Sequence, residues 1–355
     1  GCGGCALQHL KQTDYKAWTI GRLSRALKQA DIPHDQNEIA FLSTPPQSRR
    51  RIAWQIAKDH KGQVRLGYYK PHSHDLINIE SCPILRPEIL ATRSEIVEFM
   101  KDFLHEGEHV TLKITLVDDR LDALLEQKRA LTTDTRRALL DFGRKQFQRF
   151  SHQDISRGGG APICLYGRKS IDKKMATGIS LPLPSGTFLQ ATELSEKMMI
   201  EYVLNAADKM KAKKVADLYA GIGTFAIPLK QKGQRVKSVT AYDSAAPVIN
   251  ILKSHYHETG VDAQERDLNR QPLVARELKA FDTVVIDPPR SGASDQFSFL
   301  ARAKIKNVIS ISCHPDSFAR DAAILIKAGY TMSDLTIVDQ FLWSHHLETM
   351  ACFRR

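Results

Sequence analysis

Apolar positions change their rhythm near residue 185. Beyond it, residues 193–210 place Leu194, Met198, Tyr202, Val203 and Ala206 on one helical face. Four short apolar runs follow, VADLYA, SVTAYD, FDTVVID and NVISISC, each separated from the next by a stretch able to form a helix. An amphipathic stretch over 318–328 comes after the last. Near-continuous apolar strands alternating with helices are the signature of a parallel sheet covered on both faces, so the spacing predicts a doubly wound α/β domain. Residues 335–338 and 349–353 read as a closing pair of strands.

Before residue 185 the periods are mixed. Residues 15–27 carry apolar positions at helical spacing and stop before Pro33; 51–57, 62–69 and 75–81 read as extended. Residues 87–104 are helical again. A clean alternation over 109–117, a turn at Asp118-Asp119-Arg120 and a second run at 121–126 predict a hairpin. An arginine-bearing helix is expected over 133–150, a chain break at Gly158-Gly159-Gly160, and an extended stretch over 162–177. This half reads as an α+β assembly with a sheet, divided near residue 85.

Composition narrows the class. With 42% hydrophobic residues over 355 positions, the chain is globular rather than disordered. No apolar run is long enough to span a bilayer, and the start has no secretory pattern, so no membrane association is expected. The net charge is +11, and residues 1–185 hold 29 Lys and Arg against 21 Asp and Glu, so eight of the eleven excess charges precede the catalytic-looking half. A polyanionic partner suits that surplus, and Arg49-Arg50-Arg51 is its densest point, readable equally as a solvated loop edge. The six cysteines are scattered, as in a cytoplasmic protein with reduced thiols. Cys2-Gly3-Gly4-Cys5 is a CxxC that could serve a zinc knuckle, an iron–sulfur site or a redox pair, and no strand precedes it as a thioredoxin-like pair would need. Cys82 would make a third ligand, one short of a tetrahedral site.

Candidate chemistry falls at strand ends. The loop Asp217-Leu218-Tyr219-Ala220-Gly221-Ile222-Gly223-Thr224 follows the first strand, and its GxG spacing suits a zwitterionic nucleoside such as S-adenosylmethionine better than a phosphate. Asp243, ending the next strand, is placed to accept both ribose hydroxyls, and Asp267 could meet the adenine amine. Asp287-Pro288-Pro289-Arg290 ends a third strand with a stiff floor, and Arg290 replaces the aromatic residue that amine methylation would use. Cys313 ends the next strand, where a thiolate can attack a conjugated ring carbon. In Trp343-Ser344-His345-His346-Leu347-Glu348, adjacent histidines rarely point one way, so Glu348 is the better general base.

From Cys2 through Glu348 these motifs resemble the RNA uracil-C5 methyltransferases, most closely the 23S ribosomal RNA branch that carries a [4Fe-4S] cluster; DPPR, SCHP and HHLE are specific only together. The resemblance implies a class I S-adenosyl-L-methionine-dependent methyltransferase domain over 186–355, an iron–sulfur region over 1–85 and a central RNA-binding domain over 86–185. It implies cluster ligands at Cys2, Cys5 and Cys82, with a further cysteine and a small β-barrel domain expected ahead of Gly1 in an N-terminally truncated chain. It also implies cofactor contacts at Gln190 (of Phe188-Leu189-Gln190), Tyr219, Gly221, Gly223, Thr224 (often Asn there), Asp243, Asp267 and Asp287. Cys313 would attack C6 of a flipped uracil, C5 would take the methyl group, and Glu348 would remove the C5 proton. The expectation is a cytoplasmic, monomeric enzyme acting on 23S ribosomal RNA. Transfer-RNA uracil-C5 methylation, RNA cytosine-C5 methylation and non-catalytic RNA binding are the alternatives; GxG spacing and the thiol–glutamate pair speak against a nicotinamide dehydrogenase.

Overall fold

The apolar runs pair into one eight-stranded sheet, in the order Ala40–Ser43, Thr331–Asp339, Glu348–Arg354, Asn307–Ser312, Thr283–Ile286, Lys214–Leu218, Ser238–Asp243 and Asp262–Glu265. Every neighbouring pair is parallel except the two made by Glu348–Arg354, which runs antiparallel between Asn307–Ser312 and Thr331–Asp339. This computed structural model describes residues 2–70, 73, 75–156 and 159–355, so the expected break at Gly158 lies outside the described residues. The central strands Thr283–Ile286 and Asn307–Ser312 are buried at every position, as strands covered on both faces must be. Strand order reverses between Lys214–Leu218 and Thr283–Ile286, and at such a switch point the carboxyl ends of the strands leave a crevice for a ligand.

By packing, the described chain forms two compact units. One comprises Leu7–Thr44, Lys174–Leu181 and Leu194–Arg355; the other comprises Gly1–Ala6, Pro45–Lys173 and Pro182–Glu193. The first contains the doubly wound sheet, and it recruits more chain than the periodicity indicated. The helix Gln12–Gln29 buries Leu23 and Leu27 in a core shared with Phe297, Phe318 and Leu325. Ala40–Ser43 adds a parallel edge strand along Thr336 to Asp339. Both lie in the stretch expected to belong to the cysteine-containing region.

The second unit is a seven-stranded sheet, ordered Leu76–Asn78, Val64–Tyr69, Arg51–Lys58, His109–Val117, Arg120–Gln127, Arg149–Asp154 and Ile163–Gly167. The expected hairpin forms, with Asp118 and Asp119 in left-handed conformation at its turn. Alternate residues such as Trp54, Ile56, Leu112 and Ile114 are fully buried in a core that also holds Ile96 and Met100 of the helix Arg93–Phe103. The helix expected over 133–150 ends at Gln146. Thr132 caps its start by accepting from the Thr135 N–H at 3.2 Å, and Phe147 turns the backbone extended. Aromatic packing outweighs local helical preference here: Phe150, on the following strand, meets Phe142 edge-on at 5.8 Å. Gly143 allows that approach, since a Cβ there would stand 2.5 Å from Phe150.

Arg149 is fully buried and donates to both oxygens of Asp122, at 2.7 and 2.6 Å, and to the carbonyls of Leu183 and Lys169. Removing the cation strands a carboxylate in the interior. Arg149→Met should therefore cost about 3–5 kcal/mol in urea unfolding, and pairing it with Asp122→Leu should recover most of that loss.

Among the described residues, no helix is long and apolar enough to cross a membrane.

Candidate active site

The crevice at the switch point is built from strand ends. After Leu218 the chain turns through Tyr219, at φ 63°, and Gly221, at φ 53°. A Cβ on Gly221 would meet nothing within 4 Å, so its outer side is open to a ligand. Gly223, at φ 84°, lies against Ile227 and Leu252 instead, and its N–H donates to the Ala220 carbonyl at 2.9 Å. Thr224 follows, half-buried. Asp243 holds the loop from the neighbouring strand: its carboxylate accepts from the Gly221 N–H and the Ala245 N–H, each at 2.9 Å. Each oxygen retains a second lone pair for a hydroxyl donor.

The Tyr219 hydroxyl donates to Asn269 at 3.1 Å, tying the loop to the segment in which Asp267 accepts from the Asn269 and Arg270 amides. Burial and then the Asp267 and Asp321 charges push the Tyr219 phenol up to about 12. The Asp287 N–H bonds the Leu218 carbonyl at 3.2 Å, which brings that carboxylate beside the same loop. Asp217 lies beneath, fully buried, with no hydrogen-bond partner within 3.5 Å on either oxygen. Burial first, then the Asp287 charge, push its carboxyl well above the ordinary range, and the Ala226 amide offsets only part of this. Strand ends rich in carboxyl groups favour a ligand with ammonium or sulfonium charge and ribose hydroxyls. The open Gly221 and the lone pairs on Asp243 fit S-adenosylmethionine.

Cys313 and Glu348 are brought together by sheet register. Ser312 is paired with Thr349 in the antiparallel ladder, so the next pair outward is Cys313 with Glu348, and Glu348 is also paired with Val338. Glu348 is buried, and its carboxylate accepts from the Gln340 amide at 2.5 Å; the Gln340 oxygen in turn accepts from the Ser195 hydroxyl at 3.1 Å. Burial, then the Glu348 and Asp287 charges, push the Cys313 thiol up to about 11, with Arg290 pulling the other way. At neutral pH the thiol therefore keeps its proton, and its reactivity depends on what enters beside it.

The loop carrying HHLE is tied down by the N-terminal helix. Tyr15 donates to buried Asp339 at 2.8 Å and accepts from the Trp343 N–H at 3.0 Å, while the Leu7 N–H bonds the Trp343 carbonyl at 2.9 Å. Trp343 stands at φ 61°, a strained setting for a bulky residue that these anchors maintain. Gln340, Ser195 and Tyr15 went unnoticed in the sequence, since no motif or period marks a hydrogen bond between residues 8 to 324 positions apart.

The other expected residues lie in the second unit. Gln190 is buried, and its carbonyl accepts from the Arg50 Nε at 3.0 Å. Cys2, Cys5 and Cys82 are near enough to feel one another's charge: burial, then Cys82 and Cys2, raise the Cys5 thiol to about 11, against Arg49. Yet among the described residues no group of three or more His, Cys, Asp or Glu side chains is arranged to hold a metal ion. Three thiols also fall short of the four a [4Fe-4S] cluster takes, so the residues present do not fit that group.

A doubly wound sheet with an antiparallel strand next to its edge pair, and a nucleoside crevice at the switch point, defines a class I S-adenosylmethionine-dependent methyltransferase. The chain belongs to the tRNA (uracil-5-)-methyltransferase family, whose family model matches residues 22–355. It is an RNA (uracil-5-)-methyltransferase family enzyme. An RNA methyltransferase of Caulobacter vibrioides is 36% identical over 365 residues, covering 100% of this chain and 84% of that protein. The 23S rRNA (uracil(1939)-C(5))-methyltransferase RlmD of Pectobacterium carotovorum is 27% identical, over 99% of this chain and 78% of its own. In fold the chain is similar to the tRNA (uracil-54, C5)-methyltransferase of Pyrococcus abyssi, with TM-score 0.73, 20% identity, and coverage of 99% and 86%.

Two outcomes follow from the geometry. Glu348→Gln removes a negative charge beside the thiol, so the pH midpoint of Cys313 alkylation, read by peptide mass spectrometry, should fall from about 11. Tyr15→Phe should cost about 1–3 kcal/mol in denaturant unfolding. Burial raises the Asp339 carboxyl to about 6 and the Tyr15 bond opposes that shift, so the variant's deficit should be larger at pH 8, where Asp339 is ionised, than at pH 5.

Proposed function

We propose that the enzyme methylates C5 of a uridine in a structured RNA through a covalent bond from Cys313 to C6, with Glu348 as the base. The observation that carries this reading is the antiparallel register that sets Cys313 opposite Glu348 at the rim of the nucleoside crevice. Bound S-adenosylmethionine supplies the methyl group; Gly221, Asp243 and Asp287 would hold it, with Tyr219, Gly223, Thr224 and Asp267 shaping the surrounding loops.

The thiol is protonated and releases its proton to solvent as it attacks, which leaves Glu348 unprotonated for the later step. Arg290 opposes the Glu348 and Asp287 charges at that sulfur and so favours the thiolate. Addition to C6 moves the C5–C6 electron pair onto C5 and O4, making C5 nucleophilic enough to take the methyl group. Glu348, pinned by Gln340, then accepts the C5 proton; the double bond re-forms and the C6–S bond breaks, returning Cys313. Prior burial of the carboxylate suits it to remove a carbon-bound proton, since water does not compete for its lone pairs.

Transfer RNA is the first substrate to test, because the matching family is that of tRNA methyltransferases. The ribosomal reading has one observation in its favour, the neighbouring thiols of Cys2, Cys5 and Cys82, and the Pectobacterium relative is named for 23S rRNA. No step is routed through a cluster there.

Unmodified tRNA and 23S rRNA transcripts, incubated with labelled methyl donor and digested to nucleosides, should yield 5-methyluridine from one of them; 5-methylcytidine would overturn the uracil assignment. Cys313→Ala should abolish transfer and trapping of 5-fluorouridine RNA, and full methylation by that variant would sink the mechanism. Glu348→Gln should accumulate an RNA adduct stable to denaturing gels.

A further inference from the structure

Near Cys313 the same unit gathers positive charge, and of these groups only Arg290, which favours the thiolate, has a part in the methyl-transfer chemistry. Arg22, from the helix Gln12–Gln29, has its Nη1 shielded from solvent with no hydrogen-bond partner, and its guanidinium lies 5.8 Å from the Trp18 ring centroid. Trp18 in turn packs against His345 at 5.7 Å. A buried guanidinium N–H without an acceptor is costly, and such a group usually finds one when its ligand arrives. Arg290 is exposed just beyond Asp287-Pro288-Pro289, and His314 directly follows Cys313.

The charges of these groups act on one another. Burial, then Arg290, His314, Arg22 and His345, hold His346 down at about 4, and burial with Arg290 and Arg22 lowers His314. The opposing carboxylate is Asp316, 3.8 Å from His314 Nδ1 and largely exposed. The cluster thus holds two guanidinium groups and two imidazoles whose protonation is disfavoured first by burial and then by those guanidinium charges.

We propose that Arg22 and Arg290, with the imidazoles of His314 and His346, form a phosphate subsite that takes a phosphodiester flanking the target uridine. The proposal rests on the RNA reading above. A uridine that reaches Cys313 carries a phosphate on either side of its ribose, within one nucleotide of the sulfur. Paired guanidinium forks match tetrahedral oxyanions better than they match a single carboxylate. Anchoring the backbone there also orients the base, because the ribose leaves few rotations between phosphate and ring. Neutral imidazoles would gain protons as the anion enters and become additional donors to it.

The test uses the whole chain and needs no methyl transfer. The His346 resonance, identified by its loss in His346→Gln, is followed by NMR across pH with uridine 5′-monophosphate or with uridine. The nucleotide should move its midpoint up from about 4, whereas uridine should leave it in place, and Arg22→Gln should remove the shift. Inorganic phosphate should reproduce the shift if the anion alone is recognised. In parallel, Arg22→Gln should weaken RNA binding about tenfold and reduce the slope of log affinity against log salt by about one, with Arg22→Lys retaining most of both. Undiminished S-adenosylmethionine affinity shows that the variant is folded. An unmoved His346 midpoint with the nucleotide, or an equal shift in Arg22→Gln, overturns the subsite. Absence of methyl transfer to any RNA, with the nucleotide shift intact, instead overturns the assigned reaction.

Discussion

The antiparallel insertion of Glu348–Arg354 between two parallel neighbours is the constraint from which the site follows. Six consecutive residues of that strand are buried, and its two ladders fix Thr349 against both Ser312 and Ile337. A slip of one residue would turn every side chain to the opposite face of a sheet packed on both sides, so the register has no near alternative. Because Glu348 is the first residue of this strand and Cys313 the first beyond its partner, the same hydrogen bonds that close the sheet set the distance between thiol and carboxylate. A return by another crossover helix would bring in a parallel strand, and its carboxyl end, not its start, would then lie beside Cys313.

The loop that makes this reversal is short and holds the remaining candidates for the chemistry, so its shape has to be imposed from outside. Gln340 orients the Glu348 carboxylate, and Ser195 fixes which end of the Gln340 amide faces it. Tyr15 then bridges Asp339 and the Trp343 amide. The helix Gln12–Gln29 therefore serves the catalytic unit in two ways: its apolar face closes the core through Leu23 and Leu27, and its polar positions brace the loop. Strain at Trp343 is maintained because both its N–H and its carbonyl are held by residues of this N-terminal segment.

Much of this was legible in the chain before its structure. Strand runs such as SVTAYD and NVISIS stand where the apolar pattern places them, because burial on both faces writes itself as an unbroken apolar run. The proximity of Cys313 and Glu348 was legible only through a family resemblance: nothing in 35 residues of spacing announces an antiparallel return. The helix expected to reach residue 150 shows the opposite failure. Its local pattern was sound, but the aromatic packing of Phe142 and Phe150 and the buried pairing of Arg149 with Asp122 required a strand. Ala40–Ser43 was overlooked because a four-residue edge strand has half-exposed positions and no period to read. No motif or period marks Arg22 in the sequence. Its meaning depends on Arg290 and His314, which are remote in sequence.

Charges of both signs act at the sulfur. Burial first, then the charges of Asp287 and Asp243, hold the Asp217 carboxyl well above the ordinary range, and a positively charged nucleoside would relieve that repulsion. Burial and then the charges of Arg290 and Arg22 hold two imidazoles toward neutrality, and an anion would relieve that repulsion. Cys313 is subject to both signs of charge, Glu348 and Asp287 raising its thiol while Arg290 lowers it. Burial and then the carboxylates prevail, so the thiol keeps its proton at neutral pH. A cationic donor in the crevice would screen the carboxylates that oppose ionisation. On the proposed mechanism the thiolate would be favoured when the methyl donor is in place, which would couple activation of the nucleophile to occupancy of the crevice without any moving part.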